Sequence, residues 1–235
     1  MLEAVLREGV VGRAIEREVL QVALHDLRDY SADRHRSVDD VAYGGGPGMV
    51  LKPEPFFRAV DAIRRRHGDP DAVVLLSPQG RVFRHEEAAR LSRLRHVALL
   101  CGRYEGVDER VREQVVTDEL SIGDYVLSGG ELPAAVVIDA VARLVPGVVG
   151  DTRSVDEDSF VRGMLDHPHY TRPAEVDAHG VPDVLLSGHH AEIRHWRKRE
   201  AVRRTLERRP DLLEHAVLDD EERAILRELK NEGKG

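Results

Sequence analysis

Apolar positions in this 235-residue chain fall in short runs set between stretches of helical spacing. Val73 to Leu76 and Val97 to Cys101 are unbroken runs, and Val115-Val116 is a shorter third. Runs of that length between amphipathic stretches read as parallel strands buried on both faces. Phe56, Ala59, Val60 and Ile63 keep the i, i+3, i+4, i+7 spacing of a helix with one buried face. Arg64, Arg65 and Arg66 close it before Gly68, which suits the helix dipole and a glycine stop better than nucleic-acid contact. Helices are also predicted from His85 to Leu94, from Asp108 to Gln114, and from Pro133, a residue favoured at the first helical position. The last of these should bury Val137, Val141 and Leu144 and end near Pro146-Gly147. Upstream, Leu2 to Val19 reads as helical with a break at Gly9 and Gly12. Val19 to Leu24 reads as a strand, and Asp29 to Met49 as a long glycine-rich loop. The alternation predicts an α/β fold with a parallel sheet and helices on both faces.

The predicted strands lead into glycine-punctuated segments: Ser77-Pro78-Gln79-Gly80, Gly102-Arg103-Tyr104-Glu105-Gly106, and Ser121 to Glu131 with Gly123, Gly129 and Gly130. Loops at the carboxyl ends of strands are where open α/β sheets bind ligands. Three of them suggest one composite pocket built mostly from backbone, although each alone could be an ordinary turn.

The second half has a different character. Gly150 to Ser159 is acidic and polar and is the best linker candidate. Beyond it a short strand is predicted at Val184 to Leu186, a helix from about His189 to Arg208, and a last helix from Asp219 to Leu229. The predicted organisation is a cofactor-binding domain over 1–149, a linker over 150–162 and a mainly helical domain over 163–235. The net charge of −8 argues against a polyanionic partner, but its distribution does not. Ala191 to Arg209 carries eight basic residues against three acids, whereas Asp211 onward is net acidic. A helix polar nearly all round is either a solvated face or a phosphate-tracking surface. One cysteine, Cys101, excludes an internal disulfide framework and suits a reducing compartment. No signal pattern or membrane-length apolar stretch occurs, so a cytoplasmic protein is expected.

Nucleotide-phosphate signatures are absent: no G-x-G-x-x-G follows a strand, and no G-x-x-x-x-G-K-[ST] occurs. A ligand with an adenosine but no phosphate, S-adenosylmethionine, fits a backbone-lined pocket, because glycines permit close approach. The histidines lack metal-site spacing, and His167-Pro168-His169 reads as a turn more readily than as a ligand pair. No metal site is expected.

Longer motifs then resemble a known family. Asp33 to Asp40 with Tyr43 to Met49, Leu76 to Gly80, Cys101 to Arg110 and Ser121 to Pro133 look like bacterial tRNA (guanine-N1-)-methyltransferases. So do Glu157-Asp158-Ser159-Phe160, Pro168 to Pro173, Leu186-Ser187-Gly188 and Trp196-Arg197. The resemblance spans essentially the whole chain. It implies a deep trefoil knot in the α/β domain, a small helical C-terminal domain, and a homodimer with the tRNA site at the subunit interface. It further implies methyl transfer from S-adenosylmethionine to N1 of the guanosine 3′ of the anticodon, position 37 of the tRNA. A magnesium requirement would have no protein site legible in the residues. Family members begin about ten residues earlier, with a strand whose loss would expose a sheet edge. A tRNA-binding protein of the same fold, inactive for want of that strand, is the alternative.

Guanine N1 is protonated when neutral and a poor nucleophile, so a carboxylate must take its proton and a cation near O6 should stabilise the developing charge. The resemblance assigns these roles to Asp158 and Arg143. On the residues alone, Asp158 reads as a solvated linker acid, and Arg143, four residues after Asp139, as one half of a surface ion pair. For the cofactor it nominates Ser77, Pro78, Gly102, Glu105, Ile122, Gly123, Asp124, Tyr125, Val126, Leu127, Gly130 and Pro133. For tRNA it nominates His35, Asp39, Gly48 and Arg197.

Overall fold

A computed structural model describes residues 2–150 and 158–233. The chain divides into two compact units, Met1–Gly150 and Asp151–Gly235. Residues 151–157, with Asp156 and Glu157 of the predicted linker, lie outside the described residues.

Unit 1 opens with helices α1 (Leu2–Arg7) and α2 (Gly9–Glu16). The chain breaks at Gly9, as expected, but Gly12 lies buried inside α2. The expected strand at Val19 to Leu24 does not form. Glu18 adopts a left-handed φ of 59°, and the Val19 and Leu20 N–H groups fold back onto the Ala14 carbonyl. Val19, Leu20 and Val22 instead pack on the core of α1 and α2. Apolar, β-branched residues follow whichever surface buries them.

The long loop contains more order than its composition suggests. Strands β1 (Asp39–Val41) and β2 (Met49–Leu51) pair antiparallel. Helix α3 (Pro53–His67) follows and ends at Gly68 as predicted. Then come β3 (Ala72–Val82), α4 (His85–Leu91), β4 (Val97–Cys101), α5 (Glu109–Gln114), β5 (Asp118–Ser121) and α6 (Glu131–Ala142). The third strand therefore starts after Val115-Val116, which pack on the core as partly buried residues. Pro133 is the third residue of its helix rather than the first; no N–H is demanded anywhere in the first turn.

The sheet is parallel, ordered β4-β3-β5. Alternate side chains of β3 feed two cores. Val73 and Leu75 pack with Phe56 and Val60 of α3 and Val111 of α5; Ala72, Val74 and Leu76 pack with Leu91 of α4 and Val137 of α6. Helices therefore cover both faces, which is why these strands read as continuous apolar runs. The sheet and helices match the mixed α/β class read from the sequence.

Unit 2 has its own small core, formed by Met164, Val202, Ile225 and Leu229. It holds a two-residue hairpin, β6 (Glu175–Val176) with β7 (His179–Gly180), then α7 (Asp183–Leu186), α8 (His190–Arg208) and α9 (Asp220–Glu232). The expected strand at Val184 to Leu186 is the helical turn α7. Pro182 and Asp183 supply a helix-start signal that outweighs three apolar residues. Among the described residues no helix is long and apolar enough to cross a membrane.

Candidate functional site

Strand register places the three glycine-rich segments side by side. Leu76 is paired with Cys101 on one side and with Leu120 on the other. The segments that begin at Ser77, Gly102 and Ser121 therefore follow three residues that lie abreast. The segments after β3 and β4 lead to α4 and α5 on opposite faces, the arrangement that opens a crevice at the strand carboxyl ends.

Ser77-Pro78-Gln79-Gly80 does not end its strand as expected. Leu76 and Arg81 both pair with Leu120, so these four residues form a bulge within β3. The Gln79 N–H donates to Ser77 Oγ at 3.1 Å and closes it.

The second segment is tied to two others. The Gly130 N–H donates to the Gly102 carbonyl at 2.8 Å, and a Cβ on Gly130 would sit 2.7 Å from Cys101 Cα. Only glycine lets the two backbones approach this closely. Arg103 and Glu131 form a 2.7 Å ion pair across the same junction. On the other side, the Glu105 N–H donates to the Met49 carbonyl at 3.1 Å. Gly48 has φ of 87°, and a Cβ there would lie 2.4 Å from Glu105 Oε1. Glu105, nominated for the cofactor, thus touches Gly48, nominated for tRNA.

The third segment is held from within. Ser121 Oγ donates to the Gly123 carbonyl at 3.1 Å, the Tyr125 N–H to the same carbonyl at 2.9 Å, and the Tyr125 hydroxyl to the Ile122 carbonyl at 3.1 Å. Asp124, Tyr125, Val126 and Leu127 are exposed, whereas Gly130 is buried. This loop offers backbone groups and apolar side chains, which suits a flat heterocycle. Cys101 at the base of the crevice is no nucleophile: burial, with Glu131 nearby, pushes its thiol up to about 12.

The remaining nominated residues are spread over both units. His35 is exposed ahead of the β1–β2 hairpin, and Asp39 begins β1. Arg143 caps α6 in unit 1, its N–H on the Asp139 carbonyl at 3.2 Å. Asp158 begins the described part of unit 2, and its carbonyl accepts from the Val161 N–H at 3.4 Å. Arg197 lies exposed on α8.

Two features carried no clear signal in the sequence. One is the Arg103–Glu131 pair, twenty-eight positions apart. The other lies in unit 2. His169 Nε2 is 2.7 Å from Asp166 Oδ2, His167 packs on His169, and Tyr170 and His167 both face Trp196. Aromatic residues among arginines at 167–197 were the available hint. Asp166, His167 and His169 also bring potential ligand atoms within 4.8 Å of one another.

The model of the tRNA (Guanine-1)-methyltransferase TrmD family matches residues 1–215. A protein of Pelotomaculum thermopropionicum named tRNA (guanine-N(1)-)-methyltransferase is 56% identical over 222 residues, 94% of this chain and 88% of the relative. Relatives of the same name from Desulforamulus reducens and Thermotoga petrophila are 50% and 51% identical, covering 98% and 99% of this chain and 91% and 94% of their own.

Proposed function

The chain belongs to the tRNA (guanine-1)-methyltransferase family, and from that premise we propose that it methylates N1 of guanine in tRNA, at the guanosine 3′ of the anticodon. The observation that carries the reading is the register that sets Leu76, Cys101 and Leu120 abreast, so that the segments carrying Ser77, Gly102 and Ile122 start side by side. It supports a cradle with the backbone access and glycine contacts that an adenosine without phosphates requires. S-adenosyl-L-methionine, when bound, supplies an electrophilic methyl group on a sulfonium. Backbone groups of Ile122, Tyr125 and Leu127 would read the adenine, and the Glu105 carboxylate would face the cationic end. Ser77, Pro78, Gly123, Asp124, Val126, Gly130 and Pro133 complete the proposed contacts.

Asp158 takes the N1 proton of the bound guanine, leaving N1 with a free lone pair to accept the methyl group. Arg143 stabilises the negative charge that spreads to O6 as the proton leaves. His35, Asp39, Gly48 and Arg197 would contact tRNA. Family membership also supports the finer expectations: a trefoil-knotted domain over 1–149, a linker over 150–162 bearing Asp158, and a tRNA-binding domain over 163–235. It supports a cytoplasmic homodimer as well, with Asp158 delivered to donor held by the partner subunit. An inactive tRNA-binding protein of this fold gains no support from relatives named as methyltransferases over about nine-tenths of their length.

The test is incubation with methyl-labelled S-adenosylmethionine and unmodified tRNA transcript, read as nucleosides by mass spectrometry. Label in 1-methylguanosine, with Asp158→Ala lowering the rate about 10²- to 10⁴-fold, is expected. Label on another nucleoside, or an Asp158→Ala variant as fast as the parent, would overturn the assignment.

A further inference from the structure

Unit 2 contains a cavity of about 410 Å³ bounded by residues 167–172, α7 and the first turns of α8. That volume is in the range of ligand sites. One wall is aromatic: the Trp196 ring lies 6.3 Å from that of Tyr170 and 6.4 Å from that of His167. Asp166 holds His169 at 2.7 Å, and the His167 and His169 rings are 4.5 Å apart, so this wall is braced from behind. Ile193 supplies apolar surface, and Arg172 and Arg197 supply charge.

The basic residues of α8 divide into two sets. Lys198 is ion-paired with Asp219 and Glu221, Arg199 with Glu228 and Glu232, and Arg203 with Glu200 and Glu207. Arg194, Arg197, Arg204 and Arg208 have no such partner among the described residues. At 100° per residue these four fall within about 80° of arc, a single row along the helix. Uncommitted guanidinium groups in a row suit a phosphate backbone. The row reaches the aromatic cavity at Arg197. Charge for the backbone combined with rings for a flat partner is how unpaired nucleic acid is held.

We propose that this cavity takes one unpaired nucleotide of the tRNA, its base stacked on Trp196 and Tyr170 and its phosphate on Arg172 and Arg197. The proposal rests on the tRNA reading above and adds a second nucleotide to it. Neither Asp158, the proposed base, nor any other carboxylate among the described residues lines the cavity, so the nucleotide held is a different one from the guanosine methylated. The site is thus a specificity element that reads an extruded base.

Trp196 is the only tryptophan in the chain, so its fluorescence reports this cavity alone. The full-length protein is titrated with tRNA transcript, with a single-stranded RNA hexamer and with an abasic hexamer of the same charge. Base-bearing RNA should quench Trp196, and the abasic oligomer should not. Tyr170→Ala, at a half-exposed position, should raise the KM for tRNA roughly 5- to 150-fold at unchanged kcat, with Tyr170→Phe restoring it. Equal quenching by the abasic oligomer, or an unchanged KM for Tyr170→Ala, would overturn the proposal. Methylation by a protein whose Trp196 never responds to RNA would sink this site and leave the methyltransferase reading standing. Base-dependent quenching without methylation would do the reverse.

Discussion

Replacing Arg162 with methionine should remove about 3 kcal/mol from the stability of unit 2. The Glu222 side chain is 2% exposed and receives both terminal nitrogens of Arg162, at 2.9 and 2.7 Å. Arg162 also donates to the Val217 carbonyl at 2.9 Å. Without Arg162, the Glu222 carboxylate keeps one protein donor, the Asp219 N–H at 2.8 Å in the capping box that starts α9. Removing one partner of a buried ion pair costs about 3–5 kcal/mol, mostly because a charge is left uncompensated. Arg162 is itself 44% exposed, so water can approach the vacated side, and the lower end of that range applies. For a unit of this size the loss corresponds to a fall in Tm of roughly 12–24 °C. Adding Glu222→Gln removes the stranded charge but keeps an acceptor for the capping box, and should restore more than half of the loss. Urea unfolding of the whole protein, followed by the fluorescence of its only tryptophan, reads unit 2 selectively. A loss below about 1 kcal/mol, the worth of a surface pair, would refute the reasoning. A double variant no more stable than the single would do so equally. The segment at stake runs directly from Asp158: Val217 N–H bonds the Arg162 carbonyl at 3.0 Å, and Leu165 N–H bonds Thr205 Oγ1 at 3.0 Å.

Gly130→Ala should destabilise unit 1 by about 1–3 kcal/mol, because its Cβ meets main chain rather than a side chain that can swing away. It should also weaken binding of S-adenosylmethionine by calorimetry; full affinity would show that this junction does not shape the cradle. Acid should loosen the contact between β3, α4 and β5. Arg81 hydrogen-bonds both Glu87 and Asp118, and Arg90 contacts both. The hydrogen bond from Arg81 holds the Glu87 carboxyl below its ordinary range. Burial opposes a similar shift at Asp118, but hydrogen bonds from Arg81 and Thr117 outweigh it. Carboxyls with lowered values give their full stability above the ordinary carboxylate range and lose it as pH falls through the folded values. Arg81→Met should therefore flatten the acid limb of a plot of stability against pH, and an unaltered limb would count against this cluster. Cys101, its thiol pushed up to about 12 by burial, should resist alkylation at pH 8 in the folded protein and react on unfolding. Rapid labelling of the native protein would contradict the burial argument.

The sequence by itself determined two of the three strands of the sheet, β3 and β4, and the buried face of α3. Val73 to Leu76 and Val97 to Cys101 are apolar at every position because helices cover both faces, and α3 shows its 3.6-residue period because only one of its faces is buried. The glycines of the candidate site were legible for a related reason: no side chain fits at Gly130. Local pattern failed where tertiary contact decided. Val19 to Leu24 has strand composition but no strand partner among the described residues, so Val19, Leu20 and Val22 pack as irregular chain on α1 and α2. Ser77 to Gly80 looks like a strand end, yet β3 resumes because Leu120 can pair on both sides of the bulge. Of the charges of α8, only Arg203, paired within the helix with Glu200 and Glu207, could be sorted from local spacing. Arg199 is neutralised by Glu228 and Glu232 of α9, about thirty residues away, and pairing at that range is fixed only when the two helices pack.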